Sequence, residues 1–191
     1  MREIGLYFGT FNPIHTGHLI LANHFAYRAG LDEVWLVVTP QSPFKTRNTL
    51  LDQYHRLDLV HRAIAGNDRL RASDIEFKLS APHYTVNTLI HLQEKFSDHR
   101  FSIIMGEDNL SSLQKWKNYE YLLDNHKILV YPRIIQEKAA LLQHPSVKLV
   151  DAPRLEISSS NIRELLKSGS SVRYLLPESI HDYVVSEQFY R

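Results

Sequence analysis

The chain has 191 residues, 43% hydrophobic and 23% charged, with a formal net charge of +1 and no cysteine. That length suits one domain with a substantial core. The near-zero charge excludes a global field for nucleic acid or an acidic membrane surface, and the missing cysteines exclude a disulfide scaffold and thiol chemistry and fit a reducing cytoplasm. No apolar run approaches the roughly 20 residues of a membrane span, and the first residues read as a strand rather than a signal segment.

Strand and helix patterns alternate along the chain. Ile4–Phe8 reads as a strand, and Thr16–Ala29 as a helix with Leu19, Ala22, Phe25 and Ala26 on one face and Gly30 as its stop. Val34–Val38 is a near-continuous apolar run, as expected of a strand buried on both faces, and Pro40 ends it. A polar loop from Gln41 to Asn48 carries Lys45 and Arg47. Thr49 and Asp52 are spaced as a capping box for a helix over Thr49–Ala65, which stops at Gly66. Leu70–Phe77 alternates as an extended segment, and Tyr84–Phe96 reads as a helix with Val86, Leu89, Ile90 and Leu92 apolar. Then come a strand over Phe101–Met105 closed by Gly106, short helices around Leu110 and Tyr121, a strand over Ile128–Tyr131, a short helix near Lys138–Leu142 and a short strand over Val147–Val150. Ser159–Lys167 reads as a helix ending at Gly169, and Pro177 opens a last helix to about Ser186. Alternating βα units with buried apolar strands imply an α/β fold, a doubly wound parallel sheet with helices on both faces. We expect one domain over residues 1–191, with a helical part from about residue 155 packed on it. Gly9, Pro40 and Gly106 all follow strand ends, so they are predicted to converge on one cleft beyond the carboxyl edge of the sheet.

The segment Gly9-Thr10-Phe11-Asn12-Pro13-Ile14-His15-Thr16-Gly17-His18 falls where the first strand turns into the first helix. First-turn backbone N–H groups lack intrahelical partners, and the helix dipole favours an anion there. His15 and His18 project on the same side of that turn, and Gly17 between them lets a ligand approach the backbone. No cysteine or nearby carboxylate completes a metal site, and neither a Gly-x-Gly-x-x-Gly nor a Gly-Lys-Ser/Thr element is present at this corner.

The element Gly-Thr-Phe-x-Pro-x-His-x-Gly-His, together with Ile157-Ser158-Ser159-Ser160-Asn161-Ile162-Arg163, resembles the two signatures of the His-x-Gly-His nucleotidyltransferase superfamily. Within it the chain, from about residue 4 to about residue 185, is most similar to the nicotinate-nucleotide adenylyltransferase family. The resemblance implies a Rossmann-like sheet and transfer of AMP from ATP to nicotinate mononucleotide. It places His15, His18, Lys45 and Arg163 in catalysis, and Gly9, Thr10, Phe11, Gly106, Asp108, Arg133, Ser158, Ser159 and Ser160 around ATP. It places Thr85, Trp116 and Lys117 around nicotinate mononucleotide, with the indole face for the pyridine ring and backbone donors for its carboxylate. Each residue also has a plainer reading: serines as helix caps, Lys45 and Arg47 as solvated charges, Asp108 as a helix-start charge, Trp116 as a lid. The chain departs from the family at Asn87, where Asp is usual, and at Tyr131-Pro132-Arg133-Ile134, where Arg-Pro-Gly is common. The protonation of His15 and His18 stays open, because a helix start disfavours imidazolium and a triphosphate favours it. Magnesium is expected to arrive with ATP, with no dedicated protein ligands. The alternatives are a different acceptor within the superfamily (nicotinamide mononucleotide or phosphopantetheine), cytidylyl transfer, or a nucleotide sensor without turnover. No basic stripe with interleaved aromatics supports nucleic-acid binding.

Overall fold

The computed structural model describes residues 1–41, 50–134 and 139–191. The strands are β1 (Arg2–Gly9), β2 (Glu33–Val38), β3 (Leu70–Ser73), β4 (His99–Gly106), β5 (Ile128–Tyr131) and β6 (Val147–Leu149). Between and after them run α1 (Thr16–Arg28), α2 (Gln53–Ile64), α3 (Thr85–Lys95), α4 (Glu107–Leu110), α5 (Tyr119–Asn125), α6 (Ser159–Lys167) and α7 (Glu178–Ser186). The described strands form one six-stranded sheet in the order β3-β2-β1-β4-β5-β6, and every pairing is parallel. The chain leaves β1 toward β3 on one side and returns to β4 on the other. That reversal makes a crevice between the carboxyl ends of β1 and β4, where α/β sheets bind ligands.

The pleat divides β1 between two cores. Ile4 and Leu6 pack with Trp35, Leu89, Leu92 and Ile103 under α3, α4 and α5. Tyr7 faces the other way, with Phe25, Leu59, Ile162 and Ile180 under α1, α2, α6 and α7. Both faces are covered, which is why the central strands read as apolar runs. Gly9 pairs with Val38, and Gly106 with Tyr131, so four strand ends reach one edge. Thr39 N–H extends that edge by donating to the Gly9 carbonyl at 2.9 Å.

Several element expectations are corrected. The extended segment from Leu70 stops at Ser73, and Ile75–Lys78 is a 3-10 turn that carries Glu76 inward at 1% exposure. Helix α2 starts at Gln53, because Asp52 is itself the cap and accepts from the Tyr54 N–H at 2.9 Å. Leu51 stays outside the helix, its N–H held by Asn12 Oδ1 at 3.0 Å; Thr49 lies outside the described residues. Ile90 is 39% exposed, since Val86, Leu89 and Leu92 already fill the buried stripe of α3. Pro177 caps α7 from the residue before it.

Candidate active site

His15 closes the N-terminus of α1 in an unusual reciprocal arrangement. Its Nδ1 accepts from the His18 N–H at 3.4 Å, while His18 Nδ1 accepts from the His15 N–H at 3.3 Å. It is a capping box built from two imidazoles. The acceptor role of His15 Nδ1 assigns the ring proton of the neutral imidazole to Nε2. The rings stack with centroids 3.7 Å apart and planes 26° from parallel. His15 is buried, and burial first, then the nearby Arg133 charge, lowers its pKa to about 4. The protonation left open by the sequence is thereby decided for His15, which is neutral at pH 7.

The glycines and Phe11 serve packing more than ligand approach. A Cβ on Gly17 would lie 3.1 Å from His15 Nδ1 and 3.4 Å from Ile157 Cβ, so this glycine makes room for the imidazole and for the segment before α6. A Cβ on Gly9 would meet the Phe11 ring at 3.0 Å, and one on Gly106 would run into the Asp108 carboxyl. Phe11 is itself 2% exposed, with φ of 44°, and its ring packs edge-on against Tyr7 at 5.9 Å and His18 at 5.1 Å. It therefore supports His18 from below and offers a ligand no side-chain surface. The first turn of α1 is also more committed than expected. Thr16 N–H donates to the Leu175 carbonyl at 2.9 Å, and His18 N–H is held within the cap.

The two signature segments, about 140 residues apart, meet. Ser159 Oγ donates to the Pro13 carbonyl at 2.9 Å. Arg163 Nη1 donates to the Asn12 carbonyl at 2.8 Å, and its Nη2 to Ser160 Oγ at 3.4 Å. Ser158 Oγ caps α6 by accepting from the Asn161 N–H at 3.2 Å, which leaves its hydroxyl proton to donate. The serines are thus both caps and a clasp. Ser159 spends its proton inside the protein, a use that its spacing in the sequence does not reveal.

Arg133 lies across from them. Its Nη1 donates to the Leu155 carbonyl at 3.0 Å, and its Nε stands 4.0 Å from Asp108 Oδ1. That Nε–H is buried without an acceptor, a donor suited to a ligand oxygen. Asp108, Arg133, Leu155, Ile157 and Ser158 share a cavity of about 300 Å³. On the other side of the crevice, Lys117 Nζ sits 4.8 Å from the centre of the Tyr84 ring. That contact brings the start of α3, with Thr85, beside Trp116. Both Tyr84 and Trp116 pack on the core beneath. Lys45 and Arg47 lie outside the described residues.

Two groups escaped the sequence reading. Arg56 is 1% exposed and donates to four carbonyls: Nη1 to Thr10 at 2.6 Å and Thr39 at 2.8 Å, Nη2 to Pro40 at 2.7 Å, and Nε to Leu51 at 2.8 Å. One guanidinium fixes the motif loop, the end of β2 and the approach to α2. Its signal was available, because Arg56 falls on the same helix stripe as Leu59 and Val60. The second is the buried pair Tyr7 and Tyr131, with hydroxyls 3.3 Å apart and Tyr7 edge-on to His18 at 6.0 Å. Among the described residues no group of His, Asp and Glu forms a metal-ligand cluster.

Comparison with known proteins places this geometry. The profile of the family described as cytidylyltransferase-like matches residues 6–165. A Flavobacterium johnsoniae protein named "Probable nicotinate-nucleotide adenylyltransferase" is 52% identical over 191 residues, covering 99% of each chain. The Flavobacterium psychrophilum protein of the same name is 53% identical with the same coverage. In fold, the Plasmodium falciparum nicotinic acid mononucleotide adenylyltransferase complexed with NaAD superposes with a TM-score of 0.84 at 20% identity, over 100% of this chain and 98% of that one. The family match spans both signature segments, and the chain belongs to the cytidylyltransferase-like family and, within it, to the nicotinate-nucleotide adenylyltransferases.

Proposed function

We propose that the chain transfers AMP from ATP to nicotinate mononucleotide, giving deamido-NAD and pyrophosphate in NAD biosynthesis. The observation that carries this reading is the clasp between the two helix starts, Ser159 to Pro13 and Arg163 to Asn12, in a chain whose relatives bear that name. A 5′-phosphate oxygen of the acceptor forms a bond to the α-phosphorus of ATP. The bond from that phosphorus to the α–β bridging oxygen breaks, and its electron pair leaves on pyrophosphate. The nucleophile is already anionic, so the site must bring two anions together and absorb charge on the leaving group.

The residues present suit that task. Neutral His15 holds a proton on Nε2 for a phosphate oxygen, and His18, the more accessible, is assigned to the charge that develops during displacement. Arg163, Lys45 and the Ser158 hydroxyl are assigned to the β- and γ-phosphates, with Ser160 beside Arg163. Arg133, through its unpaired Nε–H, and Asp108 are assigned to the nucleotide in the cavity they share. Thr85, Trp116 and Lys117 are assigned to the pyridine ring and its carboxylate. Magnesium is assigned to the substrate, entering on ATP. No described helix is long and apolar enough to cross a membrane. We assign the reaction to the cytoplasm on the cysteine-free composition.

Pyrophosphate release from ATP, measured with nicotinate mononucleotide, nicotinamide mononucleotide and phosphopantetheine, tests the assignment. The acid should be preferred, since backbone donors gain most from a carboxylate. Equal rates for acid and amide would remove that selectivity, and ATP binding without release in any mixture would make the chain a sensor.

A further inference from the structure

Glu76 has no part in the chemistry above, yet it is the most deeply buried carboxyl among the described residues, at 1% exposure. Its Oε1 accepts from the Thr88 hydroxyl at 2.8 Å, and the Thr39 hydroxyl stands beside the same carboxyl. Its Oε2 is buried with no partner. Burying such a group costs free energy that an apolar side chain of similar size would not incur. What the carboxyl supplies in return is geometry, because it joins hydroxyls from two different elements.

Those elements are the two sides of the crevice. Thr88 lies in the first turn of α3, three residues beyond Thr85. Thr39 directly follows β2, and its carbonyl accepts from Arg56 Nη1, the nitrogen that also holds the Thr10 carbonyl. Hydrogen bonds therefore tie Thr10 to Thr39 through Arg56, and Glu76 to Thr88, with the Thr39 hydroxyl beside the Glu76 carboxyl between the two. We propose that Glu76 is a positioning residue that sets the acceptor-binding start of α3 against the strand end and guanidinium shaping the phosphate corner. Which substrate each side receives rests on the adenylyl-transfer reading.

Among the described residues no charged group is set directly against Glu76. On its own turn Asp74 and Lys78 pair with each other at 3.8 Å and are solvated. From α3 it meets Thr88, with the Tyr84 carbonyl as that hydroxyl's second acceptor at 3.5 Å. From just beyond β2 it meets Thr39, and Arg56 of α2 is reached only through that residue's carbonyl. Burial is the dominant influence and raises the Glu76 pKa to about 7, while the two threonine hydroxyls pull it back down. The carboxylate accepts both hydroxyls best, so the tie tightens as pH rises through that value.

The test uses Glu76→Gln, Thr88→Val and Thr88→Ser in the full chain. Glu76→Gln and Thr88→Val should raise KM for nicotinate mononucleotide about tenfold, the loss expected for one hydrogen bond to a charged group. KM for ATP and kcat should stay within about twofold, and Thr88→Ser should restore the wild-type value. The KM ratio of Glu76→Gln to wild type should grow from near one at pH 6 to its full size at pH 8, a profile that simple loss of packing does not produce. Amide hydrogen exchange in the ligand-free protein gives a second readout: the first turn of α3 should exchange faster in Thr88→Val than in Thr88→Ser. Unchanged acceptor KM in the folded variants, an equal rise for both substrates, or equal exchange in the two threonine variants would overturn the proposal. If the wild type releases no pyrophosphate, the functional reading fails, and the exchange comparison still decides the role of Glu76.

Discussion

His15 and His18 each spend Nδ1 on the other's backbone N–H. This use follows from their place at a helix start, where N–H groups need acceptors. Replacing His18 by Ala should lower kcat by about a hundredfold to a thousandfold, the usual cost of one charge-stabilising donor, with little change in KM for the acceptor; steady-state rates measure it. His15 carries a pH signature instead. Its pKa is about 4 in the folded chain against 6.5 as the ordinary value, so between those values the unfolded chain binds more protons. The stability it contributes is complete above pH 6.5 and is lost as pH falls through about 4. The full loss is about 3 kcal/mol. Melting curves from pH 7 to 4 should show the excess acid loss in the wild type and not in His15→Gln.

At the scale of elements, α1 and α6 are held start to start, by Ser159 and Arg163 on the Asn12–Pro13 carbonyls and by Gly17 under Ile157. Gly17 costs α1 about 1 kcal/mol of helix propensity relative to alanine. In an isolated helix, then, Gly17→Ala should stabilise. In this fold the new Cβ would lie 3.1 Å from His15 Nδ1, and that ring is confined by the cap, by the His18 stack and by burial. We expect Gly17→Ala to lower kcat by roughly ten- to a hundredfold, because small misplacements of reacting groups carry such penalties, and to give no gain in Tm. A more stable and fully active variant would show that the ring has room to move.

For the whole molecule, the sheet supplies the crevice and two cores on its opposite faces fix its walls. One core carries α1 and α6, the other α3 and α5, so ATP and the acceptor are assigned to walls anchored in different cores. Binding should therefore stabilise the molecule beyond the contacted loops. ATP at about 100 times its Kd should add about 2.7 kcal/mol, a Tm rise of roughly 5–10 °C for a domain of this size. Amide exchange should slow together in the first turns of α1 and α6. Protection confined to α1 would break the link between the two signature segments.

The sequence by itself determined the alternation of strands and helices, the corner at Gly9–His18 and the second helix start at Ser158–Arg163. These are local properties: apolar periodicity, cap residues, and stops such as Gly30, Gly66 and Gly169, all of which have positive φ. It misplaced the segment from Ile75 to Lys78, where an alternating pattern continues although the strand has ended, because only the edge of the sheet decides how many residues find a ladder partner. Arg56, despite its place on the Leu59–Val60 stripe, and Glu76 were missed for a related reason. A charged residue reads as solvated until its neighbours are known, and their carbonyl and hydroxyl partners come from elements as far as 46 residues away. Tertiary structure alone also decided that Ser159 gives its proton to Pro13 and that His15 is neutral, since hydrogen-bond partners and burial are properties of the packed chain.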